Sequence, residues 1–193
     1  LMNGNNINDI YIDKAGRIWL ANYPIGITIR DDRYSHYQWI KHSIGNNQSL
    51  INDRVNAIIE DSEGDLWFAT SNGISLYRTQ TGRWESFLSS FNTQLDENNH
   101  AYLSLCEAKP GLIYAAGYSS TIYQINKRTL TTSILSLDTY EGESIRPDKY
   151  IQSIQKDTQG NIWIGGHYNL KCINETNREI RSFPELNSIT AIL

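Results

Sequence analysis

A nine-residue pattern returns along the chain at nearly constant spacing, and it limits the possible folds more than any other feature. Asp13-Lys14-Ala15-Gly16-Arg17-Ile18-Trp19-Leu20-Ala21 recurs as Asp61-Ser62-Glu63-Gly64-Asp65-Leu66-Trp67-Phe68-Ala69 and as Asp157-Thr158-Gln159-Gly160-Asn161-Ile162-Trp163-Ile164-Gly165. A diverged copy, Ala108-Lys109-Pro110-Gly111-Leu112-Ile113-Tyr114-Ala115-Ala116, lies between the last two. From Trp19 to Trp67, Tyr114 and Trp163 the steps are 48, 47 and 49 residues. A period of this length marks a repeat whose unit is one supersecondary structure that cannot bury its apolar faces alone.

Each unit reads as four short strands. A first strand (Ile7 to Ile12, Val55 to Glu60, Tyr102 to Glu107, Ile151 to Lys156) feeds Asp-x-x-Gly, with Asp and Gly at the first and fourth positions of a type I turn. The second strand is the apolar run around the Trp, and its continuous rather than alternating character predicts burial on both faces. Third and fourth strands follow, giving units over about 7–40, 55–87, 102–134 and 151–183. Four-stranded antiparallel units at this period predict an all-β fold, a β-propeller with one blade per repeat. Isoleucine occurs 26 times and alanine only nine, beside twelve Tyr and five Trp, which suits half-buried pleated surfaces.

The positions Asp13, Gly16, Trp19, Asp61, Gly64, Trp67, Gly111, Tyr114, Asp157, Gly160 and Trp163 are read as structural. The Trp fills the space between blades, and Ala21, Ala69, Ala116 and Gly165 stay small for a close approach. Trp67 and Trp163 are expected to matter more to stability than Trp84, which falls in an outer strand. Pro110 moves the third turn to Lys109-Pro110-Gly111-Leu112, with Pro and Gly at the two centres of a type II turn. Residues 188–193 repeat the opening of a unit and predict the first strand of a fifth blade, hence an open segment of a larger ring rather than a closed four-bladed one.

Asp-x-x-Gly-x-Ile/Leu-Trp-x-Gly/Ala, with Gly26-Ile27 and Gly73-Ile74 six or seven residues after the Trp and a linker such as 47–55 before the next unit, resembles the regulator-propeller repeat of bacterial hybrid two-component sensors. The resemblance is closest in units one, two and four. It implies a segment of a seven-bladed ring in the periplasmic sensor region of a polysaccharide-utilisation regulator of Bacteroidetes. Such a parent carries a second propeller, an inner-membrane helix, a histidine kinase, a receiver and a DNA-binding domain, and is expected to dimerise. None of those activities falls on these residues, so the chain itself is expected to be no enzyme.

Net charge −4, from 17 basic and 21 acidic residues without a basic run, predicts no nucleic-acid binding. No stretch approaches the roughly 20 apolar residues of a membrane span, so any membrane attachment is the parent's. His36, His42, His100 and His167 lack metal-ligand spacing, and neither metal nor cofactor is expected. Cys106 and Cys172 are read as free, buried thiols. A ligand site is expected where loops between second and third strands share a face with the long blade-to-blade connections 42–52, 88–99, 137–148 and 184–187. Tyr23, Asn72, Tyr118, His167 and Tyr168 offer rings beside amides and hydroxyls there, which suits an oligosaccharide. The alternatives are a propeller lyase or glycosidase, for which Asp9, Ala57, Ser104 and Ser153 on the first strands supply no recurrent acid pair, or a purely architectural blade set.

Overall fold

The computed structural model describes residues 6–31, 37–88, 100–136, 141–142 and 148–192. His36, Leu193 and most of the connections 88–99 and 137–148 fall outside them. The chain forms two compact units, residues 1–102 and 103–193. None of the described residues is helical, and no helix among them is long and apolar enough to cross a membrane.

The first unit holds blade 1, with β1 (Asn6–Ile12), β2 (Ile18–Tyr23), β3 (Gly26–Arg30) and β4 (Tyr37–Ile40), and blade 2, with β5 (Val55–Glu60), β6 (Leu66–Thr70), β7 (Gly73–Arg78) and β8 (Arg83–Phe87). Blade 3, with β9 (Tyr102–Lys109), β10 (Leu112–Gly117), β11 (Tyr123–Asn126) and β12 (Thr131–Ile134), falls in the second unit apart from its opening Tyr102. A two-residue β13 (Glu141–Gly142) precedes blade 4, which comprises β14 (Ile151–Lys156), β15 (Asn161–Gly166), β16 (Leu170–Asn174) and β17 (Glu179–Phe183). Every blade is an antiparallel meander in sequence order, the arrangement expected of the repeat. In blade 4, β13 adds a parallel fifth strand on β17, covering backbone groups that an edge strand otherwise leaves unpaired. Residues 188–192, read as the start of a further unit, carry no strand. Ile189 donates its amide to Gly166 O at 3.2 Å and crowds Gly165, where a Cβ would come within 2.6 Å of its Cγ2.

The Asp-x-x-Gly turns show why Asp and Trp travel together. Asp61 Oδ1 accepts the amides of Glu63 and Asp65, and Oδ2 accepts Trp67 Nε1 at 2.8 Å. Asp13 and Asp157 repeat the arrangement, each reaching its own Trp at 2.9 Å. One carboxylate thus closes the hairpin and satisfies an indole N–H that burial would otherwise strand. The glycines take positive φ, 79° at Gly16 and 86° at Gly64, a conformation open to glycine at little cost. In blade 3 the Asp is Ala108, and the aromatic has changed with it: Tyr114 has no indole to satisfy, and its hydroxyl donates to Glu175 at 2.7 Å. Glu107 accepts the Gly111 amide in place of the lost carboxylate.

The aromatic of one blade plugs into the next blade of its unit. Trp19 meets Phe68 at 6.0 Å and Tyr77 at 6.2 Å in a core shared with Ile27, Ile29, Val55 and Ile58. Tyr114 packs with Ile162, Ile164, Ile173 and Ile180. Three expectations need correction. Trp84 is only 8% exposed, because its outer strand turns the ring inward onto Tyr77 (4.9 Å) and Phe68 (5.6 Å). Trp163 is half-buried; it stacks on Phe183 at 5.8 Å and borders a concavity of about 520 Å³ on the blade face that corresponds to the covered Trp19 face. Cys172 lines the same concavity and is half-buried rather than buried. Both cysteines are free thiols, and burial pushes that of Cys106 up to about 12.

The connection 42–52, one of the long loops expected on the ligand face, braces blade 2. Leu50 is fully buried, Ile51 donates its amide to Ser75 Oγ at 2.9 Å, and Gln48 accepts from Trp84 N at 3.1 Å and donates to Trp84 O at 3.2 Å. It binds the outer strand of blade 2 through Gln48, while the side chains of His42, Asn46 and Asn47 stay exposed.

Candidate ligand-binding site

In each blade the residue four places after the repeat aromatic ends the second strand or follows it directly: Tyr23, Ser71, Tyr118 and His167. This position meets the segment that enters a first strand. In the second unit the entering segment is 148–150, and it locks the loop 166–169 in place. His167 N donates to Tyr150 O at 3.2 Å, and Gly166 N to Asn169 O at 3.0 Å. Tyr168 N donates to Asp148 Oδ1 at 2.8 Å. Asp148 in turn is ion-paired with Lys171, both side chains buried. The carboxylate occupies the space a Cβ at position 166 would need, so only glycine fits there. A paired and hydrogen-bonded buried carboxylate of this kind fixes a loop, because freeing either partner leaves an uncompensated charge.

On this mount the rings gather. Tyr118 and Tyr150 meet edge-on at 6.2 Å. Tyr150 and His167 lie 4.9 Å apart and share a hydrogen bond of 3.0 Å between the hydroxyl and Nδ1. His167 and Tyr168 make an edge contact at 4.7 Å. Tyr118 is 56% exposed and the other three are half-buried. The cluster offers ring faces for C–H stacking beside hydroxyl and imidazole groups for hydrogen bonding.

In the first unit Tyr23 lies under Arg54, with the guanidinium carbon 5.6 Å from the ring centre. Ser71 N donates to Arg54 O at 2.9 Å, and Asn72 N donates to Thr70 Oγ1 at 3.2 Å. The structure therefore joins Tyr118, His167 and Tyr168 through Tyr150 in one unit, and Tyr23 with Ser71 through Arg54 in the other; Asn72 follows Ser71 in the same loop, its amide held by Thr70. Arg54 and Tyr150 escaped the sequence reading. Their signal is positional: each stands one residue before a first strand.

Two of the four first-strand positions weighed for catalysis, Asp9 and Ser104, tie neighbouring blades together. Asp9 accepts the amides of Ile58 at 2.7 Å and Ile10 at 2.8 Å, and burial raises its carboxyl above the ordinary range. Ser104 Oγ accepts the Ile154 amide at 3.0 Å. Asp9 and Ser104 thus spend their side chains on the backbone of the next first strand. No group of three or more His, Cys, Asp or Glu among the described residues could hold a metal ion.

The model of the two component regulator propeller matches residues 2–23, 49–72 and 145–168. These segments lead into or contain the repeat motif in units one, two and four. No curated protein matches the chain. Among similar solved structures is the extracellular domain assigned to the hybrid two component system BT3049 from B. thetaiotaomicron, 22% identical over 94% of this chain and 24% of that one, with a TM-score of 0.77. The extracellular domain assigned to BT4673 from the same organism is 21% identical over 98% of this chain and 27% of that one, TM-score 0.71. An ancestral GH74 enzyme is 12% identical over 93% and 24%, TM-score 0.64. At these identities the likeness establishes the fold. The chain spans about a quarter of the length of these structures.

Proposed function

We propose that the chain is a ligand-recognition segment of the extracytoplasmic sensor region of a two-component signalling protein, and that it takes a saccharide at the Tyr118–Tyr150–His167–Tyr168 cluster. The observation that carries this reading is the cluster itself: four rings with polar edges, held by a buried ion pair and partly open to solvent. Carbohydrate faces stack on such rings, and their hydroxyls need donors and acceptors already in place. The match to the two component regulator propeller supports the sensor role. In this reading the parent is a periplasmic sensor anchored in the inner membrane. It supplies the remaining blades, a second propeller, a kinase, and the dimer through which occupancy is read in polysaccharide utilisation. Occupancy signals only in so far as the ligand binds one receptor arrangement more tightly than another.

Calorimetric titration of the chain with a panel of neutral and acidic oligosaccharides is the test. Tyr118→Ala, Tyr150→Ala and Tyr168→Ala should each weaken binding by about 1 kcal/mol or more, with the unfolding transition intact. Unchanged affinity in all three would remove the site from this cluster. The lyase or glycosidase reading gains nothing from Asp9 and Ser104, whose side chains serve the backbone of the neighbouring blade.

A further inference from the structure

The first unit builds the same platform with one exchange. Tyr23 stands four residues after Trp19, as Tyr118 does after Tyr114; Arg54 stands one residue before Val55, as Tyr150 does before Ile151. The backbone role of the entering residue is the same in both units, since Arg54 O accepts from Ser71 N and Tyr150 O from His167 N. So is its neighbour, a tyrosine of the preceding blade, at 5.6 Å in one case and 6.2 Å in the other. A position that carries a phenol in one unit therefore carries a guanidinium in the other.

That guanidinium is exposed. No described carboxylate lies within ion-pair distance of it, unlike Arg17 with Asp13, or Arg78 with Asp65 and Glu85. The adjacent Asp53 points its Oδ1 to the His42 amide at 2.6 Å. An arginine whose guanidinium lies over a ring, with no carboxylate beside it, keeps its forked N–H donors for an oxyanion, carboxylate or sulfate, which it can grip with two hydrogen bonds. We infer that Tyr23 and Arg54, with Ser71 beside them, form a saccharide subsite selective for an acidic sugar. Arg54 holds the carboxylate of a uronic acid or the sulfate of a sulfated sugar. The inference rests on the saccharide reading above and adds the class of ligand.

The experiment titrates the full chain with a galacturonic acid trisaccharide, a sulfated galactose disaccharide and, as neutral control, galactotriose. An acidic probe should bind more tightly than galactotriose and lose affinity as salt rises. Arg54→Gln should weaken the acidic probe about 10-fold or more, the loss typical of a hydrogen bond to a charged group, and Arg54→Lys should restore part of it. Whichever acidic probe responds separates carboxylate from sulfate. Thermal unfolding of both variants checks that the exposed side chain leaves the fold intact. Equal affinity for acidic and neutral probes, or no response to Arg54→Gln, overturns the acidic subsite. That outcome leaves the ring cluster standing, because the cluster is judged by the loss of galactotriose binding in Tyr150→Ala. Absence of binding by every probe overturns both.

Discussion

Asp157 accepts the side-chain amide of Asn161, the indole of Trp163 and the backbone amides of Asn161 and Gln159. These bonds, the Asn161 side chain first, lower its carboxyl from 3.8 to about 2. A carboxyl lowered on folding stabilises the native state above its unfolded value and loses that contribution as pH falls through the folded value. Urea unfolding of the chain and of Asp157→Asn should therefore differ most above pH 4 and converge toward pH 2. Asp9 is shifted upward by burial and runs the other way, but it is common to both chains and cancels in the difference. A gap that stays constant with pH would show that the carboxylate bonds carry no native-state preference. Burial orders the tryptophans. Trp19→Ala, Trp67→Ala and Trp84→Ala empty sites that are 1%, 0% and 8% exposed and should cost about 3 to 5 kcal/mol each. Trp163→Ala, at a half-buried ring, should cost distinctly less by the same denaturation series.

At the level of elements, the hairpin and the brace stabilise by different means. The Asp-x-x-Gly hairpin is local, so its partners lie within six residues and are visible as a motif. The brace 42–52 works at long range: Gln48 satisfies both backbone groups of Trp84 on the outer edge of β8, 36 residues away. Gln48→Ala removes both bonds and should destabilise the chain by about 1 to 2 kcal/mol, read as a lower urea midpoint at unchanged slope. No shift in midpoint would mean that water replaces the glutamine at that edge at no cost. The loop 166–169 belongs with the brace: its bonds go to 148–150 and to 188–189, and it thereby presents rings on a fixed frame.

Over the whole chain, the faces left open are as informative as those that are filled. The first unit exposes Ile7, Ile10 and Ile12 along β1. The second leaves the concavity bordered by Trp163, Cys172 and Phe183. A blade face with an aromatic at its centre is covered by a neighbouring sheet at Trp19 and at Tyr114; the corresponding Trp163 face is open, its ring set among polar and charged side chains such as Asp157, Asn161, Glu179 and Arg181. Concentration-dependent light scattering on the 193-residue chain should show self-association, and Trp163→Arg should reduce it. A monomer at all concentrations would show that these surfaces are adequately solvated as they stand.

The repeat, the four-stranded blades, the hairpin turns and the packing of Trp19 and Tyr114 against the next blade were legible in the sequence alone. The strands and turns rest on interactions within a few residues, and each is written again about every 48 positions. Trp84 and Trp163 exchanged their expected roles because burial depends on which sheet lies against a face, a fact no local window contains. The loop-face tyrosines and His167 could be named from composition and loop position. Arg54 and Tyr150 could not, since each becomes part of a cluster only when an entering segment is brought against the loop of the preceding blade. The reason is physical: a strand's identity is set by its own pattern of side chains, whereas a site is set by which strand ends the packing of sheets brings within a few ångströms of each other.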